Sequence, residues 1–447
     1  MHDPDLHLFL TDDEILARRD MPRMVQTLQR SFTEPVLAPN PQTEGTAIGY
    51  SSVAQDPKTG QYKLWYLARM NRLRVAVSAD LVHWRRRPPL KQRAAKASAD
   101  NVALAPVGPD VDPWFQGARF VGYTLCNEQP TPKDPAGVYA VRSVDGESVD
   151  VRFPAILPHK GDRSSLCYDE VTGEYLFITR PYYGFIPGFT PIHFTEVVRH
   201  RTARLWKSRD MVNWHDHGIV LRYEDDDELD VQIYGMQPFR YGPGFLAFVE
   251  IYHEAIQRLD TELACSPDGL RWQRVGRGRP VLPLGGEGSW DTHWVVPTGN
   301  APFPRGDRIA VPYGGAGTKH GSGKRHRRAV GLATIRKDGW VSLEAGRVDG
   351  VLVTTALPLT RAMELELNVN CYSGFVAVDV FDADGDPFKP IRGYKAQASR
   401  VERIDTVRHR VAWGTTKTVR PIKSGQCFLR ITMQQGSLFS YRWTAAR

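Results

Sequence analysis

An acidic residue recurs at one place in a repeated pattern, at or just before the start of a short apolar run. The five runs are EGTAIGYSSV, DNVALAPV, DRSSLCYD, DVQIYGMQ and WDTHWVV, and their acids are Glu44, Asp100, Asp162, Asp230 and Asp291. Carboxylates gathered in a half-dry cleft repel one another, which raises the pKa of some and leaves others ionised. That divergence suits cleavage of a glycosidic bond, in which one acid protonates the leaving oxygen while a second attacks or activates water.

Each of these acids also has a simpler interpretation, because an Asp at a strand start often caps a loop or pairs with an arginine. Five acids at the same position favour a shared function, since an uncompensated acidic ring is costly unless it serves something. We therefore take the five as candidate catalytic residues. The alternative in which each is structural stays open at this point.

Further polar and aromatic residues are predicted at the same rim, near the ends of neighbouring strands. The aromatic rings suit stacking on a sugar face, and the remaining side chains suit hydrogen bonding to it. The candidate substrate-binding residues are Arg163, Arg180, Tyr234, Tyr252, His253, Glu254, Asp260, Trp290, His293 and His320.

Two charged runs lie close to these positions. The basic run KHGSGKRHRR (Lys319 to Arg328) could grip a phosphate or a uronate. The favoured interpretation is a solvated loop that pairs with the acidic run EDDDELD (Glu224 to Asp230), with His320 excepted.

The elements that would position these residues come from an internal repeat. Its marker, Ser-x-Asp-x-x-x-Trp, occurs as SADLVHW from Ser78, SRDMVNW from Ser208 and SPDGLRW from Ser266, with a degenerate copy, SVDGESV, from Ser143. Asp and Gly favour a tight turn, and the Trp can pack on a neighbouring sheet. Each marker follows three strand-like runs, so the unit is a four-stranded sheet of about 60 residues. Such units bury their faces by stacking in a ring.

The sequence therefore predicts an all-β protein, a five-bladed β-propeller followed by a small C-terminal β-sandwich. Residues 1–44 form an N-terminal arm, residues 45–352 the propeller with the catalytic site, and residues 353–447 the sandwich. Only residues 12–30 could hold a short helix, which Pro22 would interrupt. In a propeller the starts of all inner strands meet at one end of the central channel, which would gather the acids there.

Composition and charge exclude several classes of function. The net charge of +8, from 58 basic and 50 acidic residues in 447, is mild and does not indicate nucleic-acid binding. No apolar run is long enough to span a membrane, and the N-terminus lacks a signal-peptide pattern, so we expect a cytoplasmic protein without a membrane partner. Five widely spaced cysteines indicate neither disulfides nor a zinc site. We predict no cofactor and no metal, and the oligomeric state is left open.

Several runs carry a resemblance to a known group: IYGMQPFRYGPGFLAFVEIYH, LDTELACSPDGLRWQRV, GSWDTHWVV and VPYGG. With SADLVHW and the tail from GWVSLEAG to LFSYRW, they make the chain similar to bacterial glycoside hydrolase family 32-like or 43-like proteins over nearly its whole length. The resemblance implies a five-bladed propeller with carboxylates from its first three blades, acting as base or nucleophile, pKa-tuning helper and general acid.

This sequence departs from that pattern in two blades. Blade one lacks an N-D-P-N-G motif and offers Glu44, and blade three offers Asp162 where a Glu acid is usual, without an E-C motif. By position, Asp100 and Asp162 belong to the core of the site, with Asp230 and Asp291 as close alternatives.

Three functions are compatible with these residues. The first is a glycoside hydrolase acting on a terminal, in some cases furanosidic, sugar or a short oligosaccharide. The second is an inverting glycoside phosphorylase, which needs one acid and a phosphate clamp such as Arg163, Lys319 and His320. The third is a carbohydrate-binding propeller without catalysis.

Overall fold

The structure is a computed structural model that describes residues 1–68, 72–88, 91–93, 99–126, 136–152, 154–158, 163–183, 200–322 and 327–446. For residues 91–93, 99–102, 158, 182–183 and 200 the backbone alone is described. Strands dominate, which confirms the predicted all-β class. Among the described residues, no helix is long and apolar enough to cross a membrane.

The N-terminal segment contributes four short strands, and four largely antiparallel sheet units follow it. The N-terminal strands are β1 (Leu6–Leu8), β2 (Ile15–Arg19), β3 (Arg23–Val25) and β4 (Gln29–Arg30). Unit one consists of β5 (Ile48–Gln55), β6 (Tyr62–Ala68), β7 (Arg72–Ser78) and β8 (Arg85–Arg86). Unit two consists of β9 (Lys91–Arg93), β10 (Ala99–Pro106), a 3-10 helix (Pro113–Phe115), β11 (Phe120–Cys126), β12 (Gly137–Ser143), β13 (Ser148–Val151) and β14 (Leu157–Pro158). Unit three consists of β15 (Ser165–Asp169), β16 (Glu174–Thr179), β19 (Ala203–Ser208) and β20 (His215–Leu221), with β17 (Tyr182–Tyr183) and β18 (His200–Arg201) as a separate ribbon. Unit four consists of β21 (Val231–Tyr241), β22 (Gly244–His253), β23 (Arg258–Ser266) and β24 (Gln273–Val275).

The fifth unit takes its last strand from the beginning of the chain. Its strands are β25 (Trp294–Pro297), β26 (Phe303–Arg305), β27 (Arg308–Ala316) and β28 (Arg328–Arg336). Its strands run in the order β25-β27-β28-β4, with β26 as a small extension on β27, and a single parallel bridge between Leu259 and Trp294 joins them to the sheet of unit four. The N-terminal β4 therefore supplies the fourth strand that the local sequence lacks.

Separate apolar cores show that the five described units form a closed ring. One core joins units one and two, a second units two and three, a third units three and four, and a fourth units one and five. Units four and five share the largest core, which also includes the sandwich. The innermost strands β5, β10, β15, β21 and β25 consequently line a common axis.

The repeat marker is a hydrogen-bonded turn between the third and fourth strands of a unit. In unit three, Ser208 Oγ accepts the N–H groups of Asp210 and Met211 at 3.2 and 2.9 Å. Asp210 Oδ1 accepts the next two N–H groups, and Trp214 donates its Nε1–H to the Met211 carbonyl at 3.3 Å. The Trp214 ring packs on the core between units two and three. The predicted roles of the Asp and the Trp are thus both visible in the structure.

The C-terminal region forms two packed sheets that also recruit the N-terminal strands. Its elements are β29 (Val341–Ala345), β30 (Gly350–Thr354), β31 (Leu357–Pro358), β32 (Met363–Asn370), β33 (Phe375–Asp382), α1 (Ala396–Ser399), β34 (Val401–Glu402), β35 (Asp405–Arg410), β36 (Gln426–Gln434) and β37 (Gly436–Ala445). One sheet has the order β3-β29-β37-β32-β35 with β1 beside β37, and the other the order β2-β30-β36-β33-β34 with β31 beside β36.

Two expectations from the sequence differ from this arrangement. The segment 12–30 holds strands rather than a helix, because β2 and β3 complete the edges of the two sandwich sheets. The sandwich also begins at β29, before the expected boundary at 352/353, and the arm 1–44 belongs to both domains.

Replacing Asp210 with Ala should lower the free energy of unfolding by about 1–2 kcal/mol at pH 7, because two backbone N–H groups lose their acceptor. Burial alone would raise the pKa of Asp210, but the N–H groups of Asn213 and Val212 outweigh it and lower that pKa. The stabilisation is therefore present above the unfolded pKa of about 3.9 and is lost as the pH falls below it. Urea unfolding at pH 7 and pH 3 measures the change in the free energy of unfolding. The exposed Asp225→Ala variant is the control. An Asp210→Ala cost that is equal at both pH values would contradict the assignment.

Candidate functional site

Three of the five inner strands carry a β-bulge close to their start. The extra residues are Tyr50, with Ser51, in β5, Asp100 in β10 and Tyr234 in β21. A bulge re-aims a side chain out of the regular pleat and is common beside active sites. Tyr50 also has a positive φ of 47°, which costs a non-glycine residue about 1–3 kcal/mol. The same irregularity at three equivalent positions marks this end of the axis as specialised.

The side chains of two of these bulges line a partly open cavity on the axis. We call it the axial cavity. Its lining residues are Ile48, Gly49, Tyr50, Ser51, Arg163, Tyr234, Glu250, Trp294, Val296, Pro297, Gly314, Gly315 and Arg328. Units one, three, four and five all contribute, so the cavity is a product of ring closure rather than of one sheet.

A buried ion pair crosses the wall of the axial cavity between units three and four. Arg163 Nε lies 3.0 and 2.9 Å from the two carboxylate oxygens of Glu250, and Gln237 Nε2 donates to Glu250 Oε1 at 3.0 Å. Burial alone would lower the pKa of Arg163, and the Glu250 carboxylate more than offsets this and raises it. Gly235 leaves room for the pair, because a Cβ there would lie 2.5 Å from Glu250 Oε2.

A second arginine faces the cavity without such a counter-charge. The Arg328 guanidinium carbon lies 4.2 Å from the ring centroid of Trp294 and 5.7 Å from that of Tyr50. Its buried Nε has no hydrogen-bond partner, and among the described residues no carboxylate lies within ion-pair distance of it. The cavity therefore carries a cation held by aromatic rings.

Further cationic groups surround Tyr234 at the cavity wall. The guanidinium carbons of Arg180 and Arg201 lie 4.5 and 5.6 Å from its ring centroid. Tyr234 Oη and His320 Nε2 are 3.1 Å apart, and the His320 ring stacks on Trp294 at 5.1 Å. The described part of this end of the axis is basic and aromatic.

Among the predicted carboxylates, Glu44 is held by structural partners. Its oxygens lie 3.1 Å from Arg86 Nε and 2.5 Å from Tyr66 Oη, and accept the Asn40 N–H at 2.8 Å. Burial alone would raise the pKa of Glu44, and these partners, led by Arg86, outweigh it and lower that pKa.

Asp291 and Asp230 are likewise engaged elsewhere. Asp291 is fully buried, with Arg30 Nε at 2.7 Å and Tyr313 Oη at 2.9 Å. Asp230 accepts a hydrogen bond from the Ala255 N–H at 3.0 Å and so stabilises the turn between β22 and β23. Neither they nor Glu44 line the axial cavity, and each has its own partners. Each of the three acids is satisfied within its own unit or by a neighbouring strand, which favours a structural role, and their catalytic role stays a prediction.

The structure describes Asp100 and Asp162 less completely than the other three acids. The Asp100 backbone stands at the bulge of β10, at the position that Tyr50 and Tyr234 hold in β5 and β21. Its side chain lies outside what the structure describes, and so does the whole of Asp162. Asp162 directly precedes the cavity-lining Arg163 in the chain.

The predicted substrate-binding residues divide into two groups. Arg163 and Tyr234 line the axial cavity, and Arg180, Tyr252 and His320 lie against its wall.

The other predicted binding residues have local partners. His253 Nε2 lies 3.1 Å from Asp260 Oδ2, a contact that raises the pKa of His253. The Trp290 ring stacks on Tyr313 at 5.6 Å, within the packing of unit five. Glu254 accepts a hydrogen bond from Gln232 Nε2, and His293 Nδ1 lies 2.8 Å from Thr292 Oγ1.

Sequence reasoning missed Tyr50, Glu250 and Arg328 as cavity residues. Glu250 is an isolated acid in an apolar strand, and its arginine partner is 87 positions away. Arg328 ends the basic run that the sequence predicts to be a solvated loop. The one local signal was the cluster of glycines around the cavity, at Gly49 and in the pair Gly314–Gly315, where the backbone itself forms the wall. Within the described ranges, no cluster of His, Cys, Asp and Glu is arranged to hold a metal ion.

Comparisons with known proteins bear on the fold. No protein-family model matches the sequence, and no curated protein matches it. The solved BT0996–RGII complex shares 13% identity and a TM-score of 0.51 over 70% of this chain and 92% of its own. A structure named "Glycoside hydrolase" has 13% identity and a TM-score of 0.49 over 69% and 92%. The β-1,2-mannobiose phosphorylase from Listeria innocua has 12% identity and a TM-score of 0.48 over 69% and 96%. The first likeness shows a fold shared with a solved protein, and the resemblance to glycoside-hydrolase propellers is confirmed at that level.

Replacing Glu250 with Ala should lower the free energy of unfolding by about 3–5 kcal/mol, because Arg163 would be left as a buried, uncompensated charge. The double replacement Arg163→Met and Glu250→Met should recover most of that loss. Urea unfolding measures both, with Asp216→Ala in the surface pair Arg204–Asp216 as control, for which at most ~1 kcal/mol is expected. A Glu250→Ala variant as stable as that control would show that the pair does not hold the axis together.

Proposed function

We propose that the chain is a glycosidase that cleaves a terminal sugar or a short oligosaccharide in the axial cavity. The observation that carries this proposal is the register of β10, which puts Asp100 at the bulge position whose counterparts Tyr50 and Tyr234 line the cavity. The fold shared with the BT0996–RGII complex is consistent with this proposal.

The chemistry requires two carboxylates, and we assign them to Asp100 and Asp162. Strand β10 lies between β5 and β15 in the ring, and Asp162 precedes the cavity-lining Arg163 on the approach to β15. On this assignment the two acids come from adjacent units of the ring. Which of the two protonates the leaving oxygen is left open.

The cavity wall supplies what a sugar ring needs around such a pair. Tyr50 lines the cavity and offers an aromatic ring, while the almost fully buried rings of Tyr234 and Trp294 form part of the wall. A sugar stacks its C–H face on such rings while its hydroxyl groups bond to polar neighbours. His320, beside Tyr234 and Trp294, is placed to provide one such contact.

Replacing Asp100 or Asp162 with Asn should lower kcat by about 10²–10⁴-fold, because each variant loses one member of the acid/base pair. Turnover would be followed on a panel of 4-nitrophenyl furanosides, pyranosides and uronides, at equal protein concentration and with the melting temperature recorded. Asp216→Asn, in a surface ion pair of unit three, is the matched control and should retain wild-type turnover.

If both variants cleave the substrate at the wild-type rate, the assignment of the pair is wrong. If the wild-type protein binds sugars of the panel and cleaves none of them, the chain is a carbohydrate-binding propeller instead.

The basic wall of the cavity favours a second candidate, phosphorolysis. A phosphorylase needs one acid and an anion site, and Arg328 provides a cation that no described carboxylate neutralises. Of the clamp predicted from the sequence, Arg163 is already engaged by Glu250. On this alternative, cleavage should depend on inorganic phosphate and release a sugar 1-phosphate, which ³¹P NMR detects. Cleavage at an undiminished rate in phosphate-free buffer would exclude it.

A further inference from the structure

The charges that line the described part of the axial cavity do not balance. Arg163 and Glu250 neutralise each other in a buried pair with both carboxylate oxygens engaged. Arg328 is the one other charged lining residue, and it adds a positive charge that no described carboxylate compensates. A half-buried cation without a counter-ion raises the energy of the folded protein. A ligand that brings a negative charge to this position would remove that cost and would bind more tightly for that reason.

The aromatic rings hold Arg328 without consuming its hydrogen-bonding capacity. The guanidinium carbon lies 4.2 Å from the Trp294 ring centroid and 5.7 Å from that of Tyr50. An arginine stacked on an aromatic face keeps its N–H donors in the plane of the guanidinium, where they match the two oxygens of a carboxylate. The buried Nε, which has no partner in the protein, is one such donor.

We infer that the axial cavity selects an acidic sugar, whose carboxylate is bound by Arg328 against Trp294. This rests on the proposed function, in that the axial cavity is taken as the substrate site. The positive charge of Arg328 and its planar donors match the carboxylate of a uronate, which a neutral sugar lacks. The sugar ring then lies near Tyr50 and Tyr234, which the same cavity presents.

Isothermal titration calorimetry with free monosaccharides tests the inference without any bond being cleaved. The probes are D-glucuronate and D-galacturonate, their neutral counterparts D-glucose and D-galactose, and inorganic phosphate. At least one uronate should bind the wild-type protein about tenfold or more tighter than its neutral counterpart. Arg328→Gln should weaken that uronate by about 10–100-fold and leave the neutral sugars unchanged, because it removes a charge-assisted hydrogen-bonding pair.

Two further variants keep the result interpretable. Arg328→Lys retains the charge but loses the planar donor pair, so its affinity for the uronate should fall between those of the wild type and Arg328→Gln, whether or not the latter folds. Arg204→Gln, in the surface pair of unit three, should bind the uronate like the wild type. Melting temperatures report folding in each case.

Equal affinity for acidic and neutral sugars in the wild type, or an unchanged uronate affinity in both Arg328 variants, would overturn the inference. So would Arg328-dependent binding of phosphate without binding of uronates, which would favour phosphorolysis. A failure of the glycosidase proposal is separable, because it would appear as absent turnover while Arg328-dependent uronate binding remains.

Discussion

The architecture depends on the need to cover both faces of every sheet. Strand β11 is buried along all seven residues, and β22 along eight of ten. A sheet with two apolar faces requires a neighbour on each side, and a row of such sheets is satisfied at both ends only when it closes on itself. Separate cores between successive units meet that requirement, and the innermost strands are thereby held around one axis.

Closure also decides the electrostatics at the axis. Ring closure brings charged side chains from units that are distant in sequence within a few ångströms of one another. Each charge then has to be compensated by a nearby partner. Arg163 and Glu250 do so by pairing across two units, whereas Glu44 and Asp291 are neutralised further out, by Arg86 and Arg30. Arg328 is held by aromatic rings instead. Among the described side chains that line the axial cavity, the remaining charge is therefore positive.

The sequence was informative where structure is local and uninformative where it depends on distant partners. The marker turn could be predicted because the hydrogen bonds of Ser208, Asp210 and Trp214 all lie within one stretch of seven residues. Asp291 could not be separated from a catalytic acid, since its partner Arg30 is 261 positions away. The strands at residues 15–25 were missed for the same reason, because their conformation is imposed by β29 and β30. The bulges were also hidden, since the extra residue becomes visible only against the register of the neighbouring strand.

The chain's first thirty residues pair with its last regions, and this has a consequence for biosynthesis. Strand β4 needs β28, and β1 needs β37, which ends at Ala445. At roughly 5–20 residues per second, the ribosome takes on the order of 20–80 s to deliver the partner of β1 after β1 itself has emerged. The ring can therefore be completed once β28 has been made, whereas the sandwich waits for β37. Until then β1 has no sheet to join, and the newly made chain passes through a stage in which open strand edges are exposed.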